Sequence, residues 1–222
     1  MNDVAKNLED VRSRILAACR ATGRDPATVT LLAISKFHPP EAIRAAYEAG
    51  QRDFGENYVQ ELAAKAEALA ELEGLRWHFT GHLQRNKAKV VAKVHAAVQT
   101  VDSPRLAEAL AKVAEPGAPI RVHLQVNVGE EAQKSGCTPE ELPALVASVR
   151  ALPGLVLEGL MTIPPASDDP EATRPHFRRL RELARAHGLS GLSMGMSHDL
   201  EVAIEEGATS VRVGTAIFGE RA

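Results

Sequence analysis

The apolar positions of this chain switch repeatedly between helical and strand-like period. Val4, Leu8, Val11, Ile15 and Ala18 recur at helical spacing up to a stop at Gly23, which predicts an amphipathic first helix. TVTLLAIS, from Thr28 or Val29 to Ser35, is β-branched and almost continuously apolar, as a strand buried on both faces is. A helix is then expected from about Pro40 to Ala49, with Gly50 as its stop. Further strand-like pieces follow: DFGEN near Asp53, WHFTG near Trp77, AAVQTVD near Val98, IRVHLQVNV near Val122, LVLEGLMTI near Leu157, LSMGM near Met194 and TSVRVG near Val211.

Between these pieces lie helical runs with start signals. Ser103-Pro104 offers an N-cap and a first-turn proline, and Thr138 to Glu141 reads as a capping box. Leu142, Leu145, Val146 and Val149 then share one face, and Phe177, Leu180, Leu183 and Ala184 share another that ends near Gly188. Eight strands alternating with helices, plus one helix in front, predict a single (β/α)8 barrel of TIM type over residues 1–222. A doubly wound open sheet is the alternative, and the count of eight favours the barrel. The Pro-rich stretch from Ile163 to Pro175 reads as a surface loop rather than a domain boundary.

Charge and composition narrow the partners. A net charge of −3 gives no sign of a nucleic-acid or anionic-membrane partner, and the basic stripes Arg85/Lys89/Lys93 and Arg174/Arg178/Arg181/Arg185 read as solvated helix faces. No apolar run approaches the roughly 18 residues of a membrane span. The charged, amphipathic N-terminus argues against a secretory signal. Two distant cysteines, Cys19 and Cys137, make neither a disulfide framework nor a zinc site, so a cytoplasmic setting is expected. His78 and His82 are four apart, but Gly81 interrupts any helix between them, which removes the metal reading.

A barrel of this kind works at the C-terminal ends of its strands, with phosphate commonly held after strands seven and eight. Strand one ends at Ser35-Lys36, placing a lysine at the mouth against low-dielectric walls that favour a neutral amine. The competing reading is an ordinary strand-end lysine in water. After strand seven, Ser197 is expected to cap a helix from Leu200 to Glu206. After strand eight, Gly214 permits close approach of backbone to a phosphate and Thr215 adds a hydroxyl. Arg212 stands among valines, so it is either buried against a partner or aimed into the mouth. Lysine and phosphate cup together describe a ligand with a carbonyl and a phosphate.

At these residues the chain resembles a known family. LLAISK (31–36), FGENYVQE (54–61), WHFTGHLQRNK (77–87), SGC after NVGEEAQK, GLMTI (159–163), SMGMSHD (193–199) and VRVGTAIFGER (211–221) are similar to the pyridoxal phosphate homeostasis proteins, the YggS/PROSC group. The fold of that group is similar to the barrel domain of alanine racemase. The resemblance implies pyridoxal 5′-phosphate as a Schiff base on Lys36, with Ser197, Gly214 and Thr215 on the phosphate and the backbone of Met194, Gly195 and Met196 nearby. It also implies Arg212 facing the pyridine nitrogen, Asn57 near the ring, and His82 as a further pocket-lining residue. His198 departs from the small or acidic residue expected at its position.

The implied role is a cofactor carrier or buffer that supplies apo-enzymes, as a monomer or a weak dimer. An arginine opposite the ring nitrogen weakens the cofactor as an electron sink. Racemases of the related fold compensate with a second base, a tyrosine from a further C-terminal domain. The chain ends at Ala222, and its tyrosines, Tyr47 and Tyr58, fall in a helical run and at a helix start. A pyridoxal phosphate racemase is the alternative function, and a lysine-imine aldolase acting on a sugar phosphate is a third.

Overall fold

A computed structural model describes residues 3–131 and 133–220. Ala132, in the stretch before SGC, and Arg221, at the end of the last motif, lie outside the described residues, as do Met1, Asn2 and Ala222. The strands β1 (Thr30–Ile34), β2 (Asp53–Glu56), β3 (Arg76–Phe79), β4 (Ala97–Val101), β5 (Ile120–Gln125), β6 (Leu155–Met161), β7 (Gly191–Ser193) and β8 (Ser210–Val213) close in chain order into a parallel barrel. Closure is made by β1, whose Leu31, Leu32 and Ala33 pair with Val211, Arg212 and Val213 of β8. The predicted TIM-type barrel is the observed one.

The helices around it are α1 (Val4–Ala21), α2 (Pro40–Glu48), α3 (Val59–Ala68), α4 (Ala88–Lys93), α5 (Pro104–Ala111), α6 (Leu142–Arg150), α7 (Arg174–Ala186), α8 (Leu200–Glu205) and α9 (Thr215–Phe218). Helix α9 has four residues, too few to cover the seam where β8 meets β1. The extra N-terminal helix covers that side instead, packing on α2, α8 and α9. Leu8, Val11, Ile15, Ala18 and Cys19 form its buried face, and the Asp3 side chain caps its first turn by accepting from Lys6 N. Arg24 then donates to the carbonyls of Ile204 and Ala208, pinning the turn after α1 to α8.

Thr138 and Glu141 do form a reciprocal capping pair, each accepting from the other's backbone N–H at 3.3 and 2.9 Å. Ser103 stands at the N-cap of α5, though its side chain makes no capping bond. Ser197 does not cap α8: that position belongs to Asp199, two residues later, whose carboxylate makes no capping bond and instead accepts from Met196 N at 2.7 Å, bracing the loop that carries Ser197. Cys19 and Cys137 are free and buried, and burial pushes the Cys137 thiol up to about 12. No helix among the described residues is long and apolar enough to cross a membrane.

Candidate functional site

At the C-terminal mouth of the barrel a cavity of about 300 Å³ is lined by residues from the ends of β1, β2, β3, β6, β7 and β8. Lys36, Asn57, Ser197, Arg212, Gly214 and Thr215 all face it, together with His198. With Met196, which also lines it, seven of the residues that the resemblance implies therefore share one wall system. Lys36 sits two residues beyond β1, half-buried, in a turn whose next residue, Phe37, has φ 66°. A non-glycine residue there is strained and must be held by its surroundings.

Those surroundings were not legible from the motifs. Glu56, fully buried at the end of β2, accepts from Ser35 Oγ at 2.6 Å and from Lys65 Nζ at 2.7 Å through the same oxygen. Lys65 also donates to the Ser35 carbonyl at 2.8 Å and to Glu61 at 2.7 Å, and Glu61 in turn accepts the Phe37 N–H at 2.8 Å. One buried ammonium thus ties down the residues on both sides of Lys36. Burial raises the Glu56 carboxyl above its usual range, with the bonds from Lys65 and Ser35 opposing it. At Glu61 burial also pushes upward, but the bonds from Lys65 and the Phe37 N–H outweigh it and the net shift is down. The available signal was a glutamate at the end of a short strand, a charged residue in a barrel strand as Arg212 is.

Arg212 is both buried and aimed at the cavity. It is 5% exposed, and its guanidinium donates to Ser193 Oγ and to the Thr162 carbonyl, each at 2.8 Å. Burial lowers its pKa to about 10, with Asp199 pulling the other way, so it is protonated at neutral pH. Asn57 is held by Thr80, which donates to Asn57 Oδ1 at 3.0 Å. The next loop crosses directly over it: a Cβ on Gly81 would stand 2.0 Å from the Asn57 carbonyl, so only glycine fits.

That crossing turns the loop after β3 outward. His82 consequently lines a separate cavity with Leu83, Arg85 and Arg105 and is not brought to the Lys36 cavity. Met194 and Gly195 lie behind the wall instead of on it. Met194 is buried, and Gly195, at φ 91°, offers its carbonyl to Arg212 N at 2.9 Å and packs where a Cβ would meet Ala203. The Ser197 loop is held from outside by Arg14, which donates to the Ser197 carbonyl at 2.9 Å while pairing with both Glu201 oxygens through its Nε and Nη2. Neither tyrosine lines the cavity. The Tyr47 hydroxyl donates to the Glu73 carbonyl, and the exposed Tyr58 ring packs against Phe37 in a tilted contact, with ring centroids 5.1 Å apart.

A closed parallel barrel that gathers a lysine, an arginine and the hydroxyls of its last two loops around one mouth defines a class: barrel proteins that hold a small ligand at the C-terminal face. Residues 7–222 match the family described as alanine racemase, N-terminal domain. A pyridoxal phosphate homeostasis protein of Pseudomonas aeruginosa is 51% identical over 100% of this chain and 97% of its own, and one of Escherichia coli is 46% identical over 100% and 98%. PipY of Synechococcus elongatus, solved with pyridoxal phosphate bound, superposes with a TM-score of 0.86 at 38% identity, over 97% of this chain and 100% of its own. Alanine racemase of Corynebacterium glutamicum, at 20% identity and a TM-score of 0.72 over 98% of this chain and 61% of that one, shares the barrel fold. The chain belongs to the pyridoxal phosphate homeostasis protein family, within the wider alanine racemase N-terminal domain family.

Proposed function

We propose that this chain, acting as one barrel unit, binds pyridoxal 5′-phosphate as a Schiff base on Lys36 and serves the homeostasis of that cofactor in the cytoplasm, as a carrier or buffer for apo-enzymes. The observation that carries the reading is the sharing of one 300 Å³ cavity by Lys36, Arg212 and the Ser197 and Thr215 loops. That volume lies at the lower end of the range for small-molecule sites, as a compact, singly ringed ligand requires. The free, buried thiols suit a reducing compartment.

When bound, the cofactor supplies an aldehyde that condenses with an amine, releasing water, and is freed by the reverse reaction. The chain's own residues do the rest. The Glu56–Lys65–Glu61 network fixes the turn that carries Lys36. Ser197 and Thr215 offer hydroxyl donors to the phosphate, beside backbone opened by Gly214, and Asn57 stands toward the ring. Arg212, held cationic between Ser193 and Thr162, disfavours a second positive charge on a ring nitrogen beside it. A ring left unprotonated is a weak electron sink, which favours storage over turnover.

Borohydride reduction of the loaded protein followed by peptide mass mapping tests the lysine. The expected label is on Lys36, and the visible absorption of the adduct is lost in Lys36→Ala. A label elsewhere overturns the assignment. Mixing the loaded protein with an apo-enzyme and amino acids tests the role: restored enzyme activity is expected, and rapid racemisation without cofactor transfer overturns the carrier reading in favour of a racemase.

A further inference from the structure

The barrel has a second opening, at the N-terminal ends of its strands, and a cavity of about 660 Å³ lies there. Two of its lining groups are buried polar atoms with no hydrogen-bond partner among the described residues: His123 Nδ1 and Ser210 Oγ. His123 is 7% exposed and Ser210 8%. The nearest carboxylate oxygen to His123 Nδ1, on Glu158, is 3.9 Å away, beyond hydrogen-bond reach. A buried polar group left unpaired is costly, and two such residues border this one cavity, where a polar molecule could satisfy them. Burial lowers the His123 pKa to about 3, so an entering molecule meets a neutral imidazole.

The charges at the rim say what kind of molecule fits. Arg76 is committed to Asp53, with bonds of 2.8 and 2.5 Å from its Nε and Nη2. Arg121 and Glu158 are only loosely engaged, 3.5 Å apart, and each is partly exposed. The two arginines and the two carboxylates cancel. A phosphate or other strong anion would meet Asp53 and Glu158 as well as the arginines, and a cation would meet Arg121. A molecule carrying one charge of each sign can replace the slack Arg121–Glu158 contact with two tight ones.

The same cavity is the start of a hydrogen-bond column through the barrel. His78 Nε2 donates to Asp53 at 3.1 Å, and His78 Nδ1 accepts from Gln99 Nε2 at 3.4 Å. The Gln99 carbonyl oxygen accepts from Ser193 Oγ, which accepts from Arg212. Every donor in the column points toward Asp53, so the bonds polarise one another in the same sense. Arg212 is the wall of the opposite cavity.

We propose that the N-terminal cavity is a second ligand site for a small zwitterion of the α-amino-acid class, with its carboxylate on Arg121, its ammonium on Glu158 and its polar end toward His123 and Ser210. The column from His78 to Arg212 couples its occupancy to the Lys36 cavity, a clause that rests on the function proposed above.

Equilibrium dialysis of the cofactor-free full chain against pooled, then individual, amino acids tests the site, with inorganic phosphate as the anion probe. At least one amino acid is expected to bind with 1:1 stoichiometry, and to bind Arg121→Met and Glu158→Gln about tenfold more weakly. Both positions are partly exposed, so the variants should retain the wild-type circular dichroism and melting temperature. No binding at millimolar concentration, or binding of phosphate in preference to every amino acid, overturns the proposal. Binding lost in Lys36→Ala overturns it too, because the amino acid would then occupy the other cavity.

Coupling is read with pyridoxine 5′-phosphate, which has no aldehyde and does not react with amines. Its affinity should change about threefold or more on amino-acid saturation in the wild type and stay constant in Gln99→Leu. An unchanged affinity in the wild type refutes the coupling. Amino-acid binding without any binding of pyridoxine 5′-phosphate refutes the function proposed for the Lys36 cavity and leaves the second site standing.

Discussion

Lys65 and Glu56 meet at 2.7 Å with both side chains buried, directly beneath the residue that precedes Lys36. The pair does two jobs: it satisfies a carboxylate taken out of water, and it fixes the Ser35–Phe37 turn from below. The second Glu56 oxygen has no partner among the described residues, so the carboxylate depends on this one cation.

Replacing Lys65 by Met should therefore destabilise the fold strongly. Breaking a buried pair by removing one partner costs about 3–5 kcal/mol, because the remaining charge is left uncompensated. Urea unfolding should show that loss, and the double variant Lys65→Met/Glu56→Gln should recover part of it, since no buried charge remains. Equal stability of the single variant and the wild type would show that the pair contributes nothing. Cofactor affinity should fall in both variants, because the Ser35 carbonyl loses its donor and Glu61, which accepts the Phe37 N–H, loses the cation that holds it.

Arg14 offers the opposite case, a partly exposed pair with a long reach. Its bidentate contact with Glu201 is worth at most about 1 kcal/mol at this exposure. Its bond to the Ser197 carbonyl, however, ties the loop beside the cavity to α1. In Arg14→Met the melting temperature should barely move while the cofactor affinity drops several-fold. A large thermal shift with unchanged affinity would assign Arg14 to packing alone.

The contrast between these two residues bears on what the sequence could say. The barrel was legible because strand-like pieces alternate with helical runs eight times, and an apolar run such as Leu31–Ile34, buried on both faces, has few alternatives. Lys36, Arg212 and the last two loops were legible because the fold fixes where strand ends point. Ser197 was misread as a cap because helix starts shift by a residue or two, and Asp199 competes for the same position. His82 was misplaced because nothing local states that Gly81 must cross the Asn57 backbone and send the loop outward. The Glu56–Lys65 pair and the Asp53–His78–Gln99 column join residues on different elements. The hints were polar side chains within strands: Glu56 in β2, His78 in β3 and Gln99 in β4.

Acid should destabilise the protein in two steps. His123 is held near 3 by burial against an unfolded value of 6.5, so the unfolded chain binds its proton first, and stability is lost as pH falls below 6.5. For Asp53, burial pushes upward, but the bonds from His78 and Arg76 hold it at about 2 against 3.8 unfolded. Its contribution is present above 3.8 and is lost as pH falls toward 2. The stability gap between wild type and Asp53→Asn, measured by urea unfolding, should narrow across that lower window. A gap that stays constant from neutral pH down to 2 would show that Asp53 is not stabilised by its partners.

The reassignment of Ser197 and His82 gives a paired test of the cavity itself. The Ser197 hydroxyl makes no capping bond to α8, so Ser197→Ala removes no helix contact. Its thermal stability should stay within about 0.5 kcal/mol of wild type, as for surface positions free of such contacts. If the hydroxyl donates to the cofactor phosphate, affinity should fall by about tenfold, the value of one charge-assisted hydrogen bond. His82 is exposed on a different cavity, so His82→Ala should leave both stability and cofactor affinity unchanged. Equilibrium titration of pyridoxal phosphate against the two variants separates the outcomes. A loss in His82→Ala that matches the loss in Ser197→Ala would mean the loop after β3 folds back over the mouth in the loaded protein.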